Sequence, residues 1–123
     1  MGMKMITKEL MGVIPMYGTT SKLKPEDVKV QVKYFCPWNQ WTWYATEGYA
    51  VMPDGTELPL SKVEDLNEVA DVIFFGYVRG DFDELGSFSL NELKSVKGPM
   101  AMFIERDLHF GNYTLADVME KRR

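Results

Sequence analysis

Val72-Ile73-Phe74-Phe75-Gly76-Tyr77-Val78 is apolar at every position except its glycine. Side chains of a strand alternate between faces, so this run is apolar on both. It is predicted to be a central strand, with the strand over 41–49 on at least one side. Working outward, Gly80-Asp81 marks a turn, and Leu85-Gly86-Ser87-Phe88 a further strand. On the amino-terminal side, Val28, Val30, Val32 and Tyr34 alternate with Lys29, Gln31 and Lys33, as in a half-buried strand. Pro37, Trp38 and Asn39 make a turn into a strand from Trp41 to about Met52. Asp54-Gly55 then predicts a tight hairpin within 49–60. A last strand is expected over 102–110.

Helices fall between these strands. Thr7 can cap a short helix from Lys8 to about Met11. Ser61 with Glu64, and Ser89 with Glu92, have capping-box spacing. Thr114 with Asp117 opens a carboxy-terminal helix whose Lys121-Arg122-Arg123 end suits the negative pole of the helix dipole. Leu90, Leu93, Leu115 and Val118 are expected to pack together on one sheet face. The fold class predicted is α+β: an antiparallel sheet of about four to five strands with short helices packed on one face. One domain over 1–123 is expected.

Composition narrows the function classes. The 123 residues are 46% hydrophobic and 26% charged, with a net charge of −4. A disordered tail, a fibre and a disulfide scaffold are excluded, and no stretch has membrane-spanning length. Residues 64–92 hold eight acids against one base, Arg79. An acidic mean argues against a generic duplex-DNA binder. Cys36, the one cysteine, lies in an apolar run and reads as a buried thiol in a chain suited to the cytoplasm. Residues 1–6 have no apolar core of signal-peptide length, and Met1-Gly2 reads as a cloning remnant.

Three constellations are candidates for function. Residues 34–49 hold seven aromatics: Tyr34, Phe35, Trp38, Trp41, Trp43, Tyr44 and Tyr49. Strict alternation would put Trp41, Trp43, Ala45, Glu47 and Tyr49 on one face, and Thr42, Tyr44, Thr46 and Gly48 on the other. Such rings can be core, a protein contact or a platform for single-stranded bases. Glu47, set among rings, loses solvation unless N–H groups hold it, which makes it a second candidate. The third is 105–109, where Glu105, Asp107 and His109 would line one strand side and Arg106 the other. Two carboxylates and an imidazole suit Mn, Fe or Zn. A straight strand keeps them parallel, however, so pairing of a carboxylate with Arg106 or another base is expected. No phosphate loop, dinucleotide fingerprint or serine elbow is present.

Four blocks, Trp41-Thr42-Trp43-Tyr44-Ala45-Thr46-Glu47, Phe74-Phe75-Gly76-Tyr77-Val78, the 84–93 stretch ELGSFSLNEL and Ile104-Glu105-Arg106-Asp107-Leu108-His109-Phe110, resemble a small bacterial and phage family of unknown function. The opening Met5-Ile6-Thr7-Lys8-Glu9-Leu10 fits its usual start. The family is found largely in plasmids, integrative elements and phages. The resemblance implies a cytoplasmic accessory protein of a mobile element and supplies no catalytic residues. The reading preferred is therefore a binding protein with a host or element-encoded protein partner. No cofactor, metal or membrane contact is expected. The alternatives are a single-stranded nucleic-acid or nucleotide binder, and a small metal-dependent enzyme. The binding residues expected are Trp38, Trp41, Trp43, Tyr44, Glu47, Glu105, Arg106, Asp107 and His109.

Overall fold

The computed structural model describes residues 4–121. The expectations about Met1-Gly2 and about the side chains of Lys121, Arg122 and Arg123 lie outside the described residues.

The apolar run around Phe74 becomes β4 (Asp71–Arg79), with β2 (Thr42–Val51) on one edge and β5 (Asp83–Ser89) on the other. Beyond β2 come β1 (Val32–Phe35) and β6 (Glu105–Arg106), giving the order β5-β4-β2-β1-β6, with every pairing antiparallel. The short β3 (Glu57–Pro59) pairs with the far end of β2 through the expected hairpin. Gly55 turns that hairpin at φ 89°, a conformation glycine adopts without strain. The α+β class and the central place of 72–78 are therefore as expected.

Thr7 and Ser89 each accept the hydrogen bond expected of a helix cap, from the Leu10 and Glu92 amides. They open α1 (Lys8–Val13) and α2 (Leu90–Ser95). Thr114 and Asp117 cap each other's amides at the start of α3 (Leu115–Lys121), a complete capping box.

The helices do not share one face, and this corrects the expectation. Leu90 and Leu93 of α2 join Met11 and Ile14 around Phe74, Val72, Ala50 and Tyr34. Leu115 and Val118 of α3 instead pack with Tyr44, Tyr77, Val28 and Val30 on the opposite face. The sheet is a middle layer between a large and a small core. The stripe Val28–Val30–Val32–Tyr34 is divided between them: Val30 donates to the Tyr113 carbonyl, while Gln31 donates to that of Ala45. A segment that changes pairing partner at Gln31 can serve both layers.

Two further expectations are corrected. Residues 61–70 form two 3-10 turns, Leu60–Lys62 and Leu66–Glu68, in place of an α-helix. The Asp65 carboxylate accepts from the Asn67 amide, and this local bond competes with helix propagation. The strand expected over 102–110 is reduced to β6, because the Asp107 carboxylate accepts from the His109 amide and turns the chain.

Leu93 is 4% exposed. Replacing it with Ala is expected to cost about 2–4 kcal/mol in urea unfolding, through lost burial and the cavity left behind.

Candidate functional site

The aromatic strand is arranged by a β-bulge. Ala45 pairs with Gly76 and Glu47 with Phe75, so two steps along β2 match one step along β4. The extra residue, Thr46, reverses the alternation of faces beyond it. Trp41, Trp43 and Ala45 lie toward the large core, and past the bulge Gly48 and Ala50 take over that side. Glu47 and Tyr49 pass to the other face with Tyr44. This corrects the expectation that Trp41, Trp43, Glu47 and Tyr49 share a face.

Glu47 is 2% exposed. One carboxylate oxygen accepts from the Gly18 amide at 2.7 Å, and the other from the Thr20 amide at 2.5 Å and from the Thr20 hydroxyl. Both oxygens are thus committed to the loop at 16–20. That loop also fills the gap between β1 and β3, where Gly48 donates to the Pro15 carbonyl. Tyr17 then packs edge-on to Tyr49 and Phe75, with ring centroids 5.7 and 5.5 Å apart. Glu47 works as an anchor for this loop.

The indoles are rim of the large core. Trp38, Trp41 and Trp43 are each half-buried and pack against it. Trp38 lies across Gly98 and Trp41 across Gly80, at positions where a Cβ would collide with the ring. One face of each of these two rings is therefore covered by backbone. Tyr44 is buried in the smaller core, beside Tyr77 and Phe110.

The 105–109 constellation does not converge. Asp107 pairs with Lys33 at 3.4 Å, the pairing with a base that was expected, although the base is not Arg106. Arg106 donates to the Lys4 carbonyl, and His109 is exposed on the turn. Glu105 sits in β6 opposite Phe35. Among the described residues, no group of three or more His, Cys, Asp or Glu could hold a metal ion. Glu47 and Asp107 have no partner in common.

Cys36 is buried, and burial pushes its thiol above the usual range, opposed by a hydrogen bond with Asn39. The neutral thiol therefore dominates at neutral pH, and only the thiolate attacks. Disulfide-exchange labelling of the native protein is expected to be slow at pH 7 and to become rapid in denaturant. Fast native labelling would show an accessible thiolate.

A cleft of about 300 Å³ lies between α2 and the turns before β4, lined by Leu66, Asn67, Val69, Leu90, Asn91 and Lys94. Asn91 is occupied there, its side chain donating to the Ala70 carbonyl and its amide to Asp71.

Two features escaped the sequence reading. Arg79, only 7% exposed, donates to the Val118 carbonyl in α3 and lies 4.0 Å from Asp83. Its one signal was its isolation among eight acids. The other is a knuckle at 96–103. Gly98 donates to the Met102 carbonyl, Met102 to that of Pro99, and Lys97 bridges Phe103. At its tip Met100 and Ala101 have φ of 56° and 61°. Met100 is 91% exposed, and Val96, Met102 and Phe103 beside it are also exposed. Gly98-Pro99 signalled only the end of α2.

No helix among the described residues is long and apolar enough to cross a membrane. No curated protein and no solved structure matches the chain. The model of one family, described as "Protein of unknown function (DUF2958)", matches residues 5–121, and the chain belongs to that family.

Proposed function

We propose that the protein is a cytoplasmic accessory factor of a mobile genetic element that works by binding another protein, through the knuckle at 96–103. The observation that carries this reading is Met100, a large apolar side chain 91% exposed on a left-handed backbone. For a non-glycine residue that conformation costs about 1–2 kcal/mol, and two such residues stand in succession. Strain of this kind clusters at functional sites. Exposed apolar side chains grouped together mark contact surfaces, and methionine adapts to the shape of a partner. The mobile-element context is supported by the resemblance of the 41–47, 74–78, 84–93 and 104–110 blocks.

The test is site-specific crosslinking in the native host. A photoreactive residue at position 100 is expected to trap one protein species that resists high salt. The same group at Lys22, exposed on a loop away from the knuckle, is expected to trap none. Trapping of nucleic acid, no trapping, or the same species from both positions would overturn the reading.

A further inference from the structure

The two ends of the sheet are finished differently. At one end β6 has two residues and stops in the Asp107 turn. At the other, β5 runs for seven residues and, among the described residues, pairs only with β4. Its outer edge presents backbone N–H and C=O groups with no strand beside them, and a strand edge is a template for another strand. Asp83, Glu84, Leu85 and Ser87 are exposed along it, and Phe82 in the preceding turn is 83% exposed.

The charge of this edge selects its occupant. Residues 81–92 contain Asp81, Asp83, Glu84 and Glu92 and no lysine or arginine. A second copy paired antiparallel about Gly86 would set Asp83 opposite Ser89 and Glu84 opposite Phe88. Those partners supply no positive charge to the exposed carboxylates, and the pairing would add the net negative charge of one edge to that of the other. A basic strand has no such penalty. Leu85 and Phe82, both exposed, offer apolar contact to the incoming chain.

We propose that β5 accepts an extended, basic segment of a partner protein by strand addition, with lysine or arginine set against Asp81 and Glu84 and apolar residues against Phe82 and Leu85. This surface is separate in sequence from the knuckle at 96–103. The variants that test the two do not overlap, so either proposal can fail alone.

The probe is a displayed library of random twelve-residue segments selected on the intact protein. Selected segments are expected to combine basic with apolar residues and to bind more weakly as salt rises. They are expected to protect alternate amides within 83–89 from hydrogen exchange, the signature of a strand added at an edge. Affinity is expected to fall about tenfold or more in the Asp81→Lys/Glu84→Lys double variant. Both side chains are exposed, and Asp83 is left in place beside Arg79. Should the double variant fold poorly, the alternating protection pattern in the unaltered protein still decides. The proposal is overturned if no segment is selected, if protection falls outside β5, or if a folded double variant keeps full affinity. It is also overturned if the edge is protected in the free protein by self-association.

Discussion

Gly76→Ala is expected to abolish cooperative folding, with a loss above about 4 kcal/mol, the range reserved for severe core defects. A Cβ at Gly76 would lie inside the Tyr44 carbonyl group and against the Ala45 Cα, both backbone. Backbone cannot swing aside as a side chain can, so β2 and β4 would have to separate at the middle of the sheet. The contact lies beside the bulge at Thr46, where the register of β2 against β4 shifts. Gly76 has no positive φ, so space alone requires glycine here. Gly86 pairs directly with Gly76 on β5, and a Cβ there would meet nothing within 4 Å. Gly86→Ala is expected to change stability by no more than about 0.5 kcal/mol. Circular dichroism with urea unfolding of both variants checks the contrast. A well-folded Gly76→Ala protein would mean that the strands are not apposed as described.

Glu47→Ala is expected to destabilise the protein by about 2–4 kcal/mol, since it leaves the Gly18 and Thr20 amides without their acceptor. The loss has a local signature. Exchange at these two amides is expected to quicken about tenfold or more, ahead of global unfolding, as the 16–20 loop lifts from the sheet. Tyr17 would leave Tyr49 and Phe75 with it. Glu47→Gln is also expected to destabilise, because its NH₂ group must face one of the two donating amides. A catalytic carboxylate would behave differently, since its replacement by glutamine leaves stability intact. Unchanged unfolding midpoints in both variants would contradict the anchoring role.

The sequence made the scaffold legible where local chemistry and burial agree. The apolar run 72–78, the Asp54-Gly55 turn and the caps at Thr7, Ser89 and Thr114 each specify one local structure. The two cores were not legible, because Val28 to Tyr34 reads as one stripe and serves both. Ala45-Thr46-Glu47 carries no bulge signal, and one unmarked insertion there reversed the faces of Glu47 and Tyr49. The surroundings of the candidate residues were not legible for a related reason. Aromatic and acidic residues drew attention, yet Tyr44 is core, Glu47 is an anchor and Asp107 is paired with Lys33. The exposed knuckle has only Gly98-Pro99-Met100-Ala101 to announce it, and nothing in those residue types implies a left-handed backbone at Met100 and Ala101.

The central claim is that recognition lies in the knuckle and that the carboxylates and indoles hold the fold. Its most direct test is the affinity of the crosslinked partner, once purified, for four proteins: the unaltered chain, Met100→Asp, Trp43→Ala and His109→Ala. Met100 is exposed, so Met100→Asp is expected to keep its unfolding midpoint and to bind about tenfold more weakly or worse, the loss of an anchoring contact. Trp43→Ala is expected to lose stability, and His109→Ala neither stability nor affinity. Full affinity in Met100→Asp, with binding lost in a stably folded Trp43→Ala or His109→Ala, would contradict the account.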